Sequence, residues 1–227
     1  MIRTSHRIIL IALVFSMLHV ASVKAQSENL QDSLRNAAEQ LSYHPDSVDL
    51  RLKKASWNML LEQWEYALDE YSLVLKHHPD CVAALFYRAY ANQKLSRLSF
   101  ARQDYENLLQ IVPGHFEGRL GLALLDQQMN RKTDAMNQIN LLVNQHPDSA
   151  LAYAARAGIE QENGMLELAE YDFTEALRRD KDNIQYLLNR AQVRIQLRKL
   201  DEAKQDIALL QKLGIPKPQL DALFEKK

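Results

Sequence analysis

The chain has 227 residues, 47% of them hydrophobic and 25% charged, which is the composition of a soluble protein. With 28 basic against 29 acidic residues it lacks the basic footprint that nucleic-acid phosphates require, so no nucleic-acid partner is expected. Its one cysteine, Cys81, excludes an intramolecular disulfide, and six glycines leave little material for phosphate-cradling loops.

The first 25 residues read as a signal peptide. Arg3, His6 and Arg7 precede the apolar run Ile8–Val20, and Val23-Lys24-Ala25 offers small residues at the −3 and −1 positions of a cleavage site. The run includes Ser16 and His19 and falls short of the roughly 20 apolar residues a bilayer span needs. Retention as an anchor is the alternative. Cleavage before Gln26 would remove Arg3, Arg7 and Lys24, leaving 25 basic against 29 acidic residues and a net charge of −4. No cysteine stands near the exit, which argues against lipidation. The expected location is a bacterial periplasm, with secretion as the alternative and no stable membrane span once the signal is cleaved.

After the signal, Leu30, Leu34, Ala37, Ala38 and Leu41 form an amphipathic stripe ending at His44-Pro45-Asp46. It reads as an orphan helix, within residues 26–47, that caps the segment starting at residue 48. From there one period of 34 residues governs the chain. Ala55, Ala89, Ala123, Ala157 and Ala191 form one ladder, and Ala67, Ala101, Ala135, Ala169 and Ala203 a second, each rung 12 residues after the first. Pro45, Pro79, Pro113 and Pro147 keep the same step. A fixed period of this length marks an array of supersecondary units.

The units are 48–81, 82–115, 116–149, 150–183 and 184–217. In the second, Val82 to Leu95 has helical apolar spacing, Ser96 to Ser99 is the turn, and Ser99 is expected to cap a second helix carrying Phe100, Ala101, Tyr105, Leu108 and Leu109. Pro113-Gly114 ends it. Each unit is therefore a helical hairpin, and the paired alanines mark close helix approaches, where a larger side chain would cost about 1–3 kcal/mol. Pro218 is expected to open a short cap helix through Leu220, Leu223 and Phe224. No linker interrupts the array, so one elongated domain is expected.

The segments His44-Pro45-Asp46, His78-Pro79-Asp80 and His146-Pro147-Asp148 suggest histidine–carboxylate chemistry. Whole-unit spacing sets them too far apart for one metal, and they read instead as turns in which proline ends a helix and aspartate caps the next. Glu160, Glu162, Glu167 and Asp172 read as a solvated face, not an acid–base pair. No nucleophile elbow, Cys-His arrangement or phosphate loop occurs, so no catalytic residue, cofactor or metal is expected. Cys81, in a turn between units, reads as an inert thiol.

This pattern resembles the tetratricopeptide repeat. Its eighth and twentieth residues are the alanines of the two ladders. The twenty-fourth is Tyr71, Tyr105, Ile139, Phe173 and Ile207, and the thirty-second is Pro79, Pro113 and Pro147, departing to Lys181 and Ile215. The large residue often found fourth is replaced by Arg51 and Arg119. The aromatic expected eleventh is absent, its place taken by Asn58, Asn92, Asp126, Glu160 and Arg194.

The resemblance implies an all-α solenoid, a right-handed superhelix of helix-turn-helix units whose first helices line a concave groove. Carried over residue by residue, that groove takes in Leu52, Ser56, Met59, Phe86, Tyr87, Tyr90, Gln93, Leu120, Leu124, Gln127, Gln161, Leu188, Asn189 and Gln192. An apolar and aromatic floor beside a row of amides suits an extended peptide or partner-protein segment. The basic clamp with which some such proteins hold a chaperone's terminal carboxylate is missing, because none of the matching positions is basic. The implied function is a non-catalytic protein-interaction scaffold in the cell envelope. The alternative is a structural or self-associating subunit.

Overall fold

The structure, a computed structural model, describes residues 20–220, with side chains from residue 29 onward. The signal segment therefore lies outside the described residues as far as residue 19, as do Leu223 and Phe224 of the C-terminal cap. The described residues hold no strand; they form eleven α-helices and the start of a further helical segment at Lys217: α1 (Val20–Tyr43), α2 (Val48–Leu60), α3 (Trp64–His77), α4 (Val82–Lys94), α5 (Leu98–Ile111), α6 (Phe116–Gln128), α7 (Lys132–Gln145), α8 (Ala150–Glu162), α9 (Leu166–Arg179), α10 (Ile184–Gln196) and α11 (Leu200–Lys212). None is long and apolar enough to cross a membrane.

The chain divides into two compact units, residues 1–125 and 126–227, and the division falls inside α6 and not at a turn. In the first unit α1 packs on α2, α2 on α3, α3 on α4 and α4 on α5. Ala37 and Leu41 of α1 are buried, Leu30 and Leu34 are half-buried, and Ala38 faces solvent. The core gathers Ala55, Ala67, Tyr71, Val74, Leu75, Ala84, Leu85 and Leu108. In α6, a Cβ on Gly121 would come within 2.7 Å of the Tyr105 ring, so α6 lies directly on α5 and glycine permits the approach.

In the second unit α7 packs on α8, α8 on α9, α9 on α10 and α10 on α11. One core cluster joins Ala154, Ala157, Ala169, Phe173, Ala176 and Val193. Another joins Leu177, Leu187, Ala191, Ile207 and Leu210 with Leu220, which lies in a helical segment starting at Lys217. All ten ladder alanines are completely buried, as close helix approach demands.

Local chemistry explains the hairpins, with two corrections. Ser99 is not a cap: α5 starts at Leu98 after Arg97, which makes no side-chain cap bond. The turn is fixed instead by backbone. Glu62, Ser96, Asn130, Gly164 and Arg198 adopt positive φ, and the next residue's amide donates to the carbonyl five residues back, as from Arg97 to Asn92 at 2.8 Å. This left-handed closure satisfies the carbonyl end of the first helix and fixes where the second begins, so Arg97 and not Ser99 stands at its entrance. Nor do the aspartates of His-Pro-Asp cap the following helices. Ser47 and Ser149, one residue later, are the caps and accept from the amides of Leu50 and Ala152, since each helix begins one residue further along than the aspartate could cap.

Candidate functional site

The predicted groove residues fall on the first helix of each pair, and each unit presents its own set. In the first unit, Leu52, Met59 and Phe86 are half-buried against the core. Phe86 sits at the centre of an aromatic group: its ring lies 5.1 Å from Tyr87, 6.0 Å from Tyr105 and 5.9 Å from His115. Tyr87 stacks on Tyr71 at 5.9 Å yet remains 44% exposed, so one face is open to a ligand. Burial pushes the Tyr71 hydroxyl up to about 12, so Tyr71 backs Tyr87 as a neutral ring.

Tyr90 meets Trp64 of α3 edge-on at 6.1 Å, and the Lys94 ammonium lies 5.1 Å from the Tyr90 ring and 5.7 Å from Trp64. Trp64, Lys94 and His115 are not legible in sequence as part of this face, because they come from a second helix, a helix end and a turn. Gln93 and Leu120 are half-buried, and Ser56, although exposed, donates its hydroxyl to the Leu52 carbonyl at 2.8 Å.

Leu124 departs from its expected role. At 7% exposed it belongs to the buried run 122–126 of α6, so it is core and offers no anchor.

The second unit is more polar and more self-satisfied. Gln127 exchanges two hydrogen bonds of 3.3 Å with Asn163 and donates to Glu162 at 3.1 Å, so its amide is engaged within the protein. Asn189 accepts from Gln185 at 2.8 Å. Leu188 packs at the edge of the core, Gln161 is half-buried, and Gln192 is exposed. The row of amides expected from sequence is therefore interrupted at Gln127 and Asn189, which bond within the protein.

A second arrangement escapes the sequence reading. Arg88, Arg156 and Arg190, from the first helices α4, α8 and α10, each grip an aspartate 16 residues later with two parallel bonds. The pairs are Arg88–Asp104 (2.9 and 2.6 Å), Arg156–Asp172 (2.5 and 2.8 Å) and Arg190–Asp206 (3.1 and 2.6 Å). The remaining guanidinium nitrogen reaches back 16 residues to Ser72, Asn140 or Thr174. One arginine thus ties three successive helices, and the bidentate fork explains why arginine holds this place.

In the first hairpin Lys54 and Arg51 share Glu70 at 2.5 and 3.1 Å. The arginines in the fourth-residue place also have a reason: Arg51 donates to the Pro45 carbonyl at 2.7 Å, and Arg119 to that of Pro113, tying each turn to its helix.

The carboxylates divide. Glu162 and Glu167 are exposed as expected, but Glu160 and Asp172 are buried around Arg156 and do not form a solvated face. Asp172 holds the Arg156 guanidinium in its charged form, against the opposing effect of burial. Among the described residues no three His, Cys, Asp or Glu side chains gather as a metal site.

Comparison with known proteins agrees with this geometry. A family model described as tetratricopeptide repeat matches residues 97–159. A search of the curated proteins finds no match. Among solved structures, the fold is similar to a tetratricopeptide repeat protein from Parabacteroides merdae, at 21% identity and a TM-score of 0.66, covering 90% of this chain and 80% of that one. MamA from Desulfovibrio magneticus RS-1 aligns at 17% identity over 74% of this chain and 95% of its own, with a TM-score of 0.66. YrrB, described as a TPR protein with an unusual peptide-binding site, aligns at 13% identity over 84% and 98%, with a TM-score of 0.63.

Proposed function

We propose that this tetratricopeptide-repeat protein is a non-catalytic interaction scaffold, exported to the cell envelope, that docks an extended peptide or partner-protein segment on the first-helix face of residues 48–125. The observation that carries the reading is the Phe86, Tyr87, Tyr90 and Trp64 group. It comprises two contacting pairs, Phe86–Tyr87, which packs on buried Tyr105 and Tyr71, and Tyr90–Trp64, and Tyr87 remains exposed. Aromatic side chains backed by packed neighbours are the usual energetic centres of protein interfaces, because they lose little entropy when covered. The peptide-binding site named for YrrB supports the same direction.

Binding would work by apolar coverage of Tyr87 and Phe86, with Gln93 and Ser56 beside them to meet a partner's backbone groups. Export rests on the basic, apolar and small-residue order of residues 1–25.

The test is crosslinking pull-down from the native envelope fraction with the wild-type chain and with Tyr87→Ala/Tyr90→Ala. The double variant should keep its circular dichroism and lose at least about tenfold in capture of the same partner. Equal capture by a folded double variant would refute the face. Deleting residues 1–25 should leave the chain in the cytoplasmic fraction, and unchanged envelope recovery would refute export.

A further inference from the structure

Two buried carboxyl groups of the second unit share a single cation. Arg156 on α8 directs Nε and Nη2 to Asp172 on α9, and Nη1 to Asn140 on α7 at 3.2 Å, so its three nitrogens are engaged. Glu160 follows Arg156 by one turn on α8, and its nearer oxygen is 4.0 Å from the same Nε. Glu160 is 4% exposed and Asp172 1%. The other oxygen of Glu160, Oε2, is buried without a hydrogen-bond donor. One positive charge for two enclosed carboxyls leaves a deficit that a proton can fill, since two buried carboxylates at short range cannot both ionise without cost.

Among the described residues, Arg156 is the cation that acts on Glu160. Asp172 and Arg156 are the charged groups that act on Glu160; Asn140, from α7, is neutral. On α10, Arg194 is committed to Glu170 and Asp206, and Lys199 beyond it also to Glu170.

We propose that Glu160 is a proton-operated latch: as the neutral acid it donates a hydrogen bond to Asp172 and fastens α8 to α9, and loss of that proton loosens the pair. The ionised form would face Asp172 with only a shared half-contact to Arg156. The pair is tied to adjacent helices through Asn140 on α7 and through the packing of α9 on α10, so the response reaches beyond one hairpin.

Burial first, and the neighbouring Asp172 second, push the Glu160 carboxyl from its ordinary 4.5 up to about 8. A carboxyl raised in this way binds its proton more tightly in the folded state than in the unfolded one. The stability so gained is complete below about 4.5, declines as pH rises, and is gone above about 8.

The experiment is hydrogen exchange of the α8 and α9 amides in the full chain from pH 5 to 9, corrected for intrinsic exchange, for wild type and Glu160→Gln. In the wild type the opening equilibrium should rise by up to about tenfold per pH unit toward pH 8 and then level off. Glu160→Gln keeps a neutral donor and should show a flat profile. A flat wild-type profile, or the same slope in Glu160→Gln, overturns the proposal. Should that variant not fold, carbon-detected titration of the Glu160 carboxyl in the wild type decides: a midpoint near 8 supports the latch, and one near 4.5 overturns it.

Discussion

The Arg88–Asp104 clamp can be dismantled one half at a time and then entirely, and the two routes should differ sharply. Asp104 is 3% exposed and takes both of its strong bonds from Arg88, whose side chain is 25% exposed. Arg88→Leu therefore strands a buried carboxylate, and breaking a buried pair from one side costs about 3–5 kcal/mol. Asp104→Leu strands the arginine, which keeps a 3.4 Å contact to Ser72 and some access to water, so its loss should be nearer 2–3 kcal/mol by the same reasoning. The double variant removes both desolvation penalties and leaves two apolar side chains, a change that ranges from neutral to stabilising, with about 1 kcal/mol lost if packing is imperfect.

The chain itself makes this plausible: in the third hairpin the equivalent places hold Leu122, which is buried, and Gln138. The assay is urea denaturation of the four members of the cycle by tryptophan fluorescence. Both tryptophans, Trp57 and Trp64, belong to the first unit, so the signal reports the region perturbed. A coupling energy of at least about 2 kcal/mol is expected. A double variant whose loss equals the sum of the singles within about 0.5 kcal/mol would refute the view that the clamp acts as one device.

Two further outcomes test the close approaches and the turns. Gly121→Ala should gain about 0.5–1 kcal/mol of helix propensity. Its new Cβ, however, meets the buried Tyr105 ring at 2.7 Å, and overpacking of about 1–3 kcal/mol should prevail, so a raised melting temperature would contradict the assigned contact. Ser96→Gly should stabilise by about 0.5–1 kcal/mol, since Ser96 holds φ 59° at the place where Gly164 holds φ 78°. Thermal melting that shows a loss would sink that account of the turn.

Most of the helical framework is legible in the sequence because it is enforced by steric exclusion. A wholly buried alanine at a helix crossing leaves a periodic trace, and the ten rungs locate the hairpins without any knowledge of contacts. Helix starts are less legible. Ser99 looks like a cap because serine usually is one, whereas the left-handed residue at Ser96 has already closed the turn by backbone bonds. The candidate face is legible only in part. Positions on a first helix can be assigned, but whether a side chain there is open depends on neighbours from other helices. Leu124 and Tyr87 occupy nominally similar ground; the interior encloses one and leaves the other open. The arginine clamps leave a readable signal, an Arg and an Asp 16 apart recurring in three units, which charge counting alone does not detect.

The departures from the repeat pattern carry more information than the agreements. Where the pattern expects an aromatic ring, the five hairpins place Asn58, Asn92, Asp126, Glu160 and Arg194. Their backbone carbonyls all do the same work, accepting from the amide five residues on at 2.8 Å. Their side chains cannot, because a polar group in a space meant for a ring must find a partner or lose about 1–3 kcal/mol. Arg194 finds two carboxylates, Glu170 and Asp206, at 2.9 and 2.8 Å. Asp126 finds Arg131 at 3.3 Å. The Asn58 amide nitrogen and the Glu160 Oε2 have no hydrogen-bond partner, and Glu160 shares Arg156 with Asp172. A ring would have filled each place with the same apolar volume and made the hairpins interchangeable. The four residue types found there instead set the two units apart chemically: neutral amides in the first (Asn58, Asn92), ionisable groups in the second (Asp126, Glu160, Arg194). The docking proposed for the first unit rests on Phe86, Tyr87 and Tyr90, and the latch proposed for the second on Glu160, so each can be tested by substitutions that leave the other untouched.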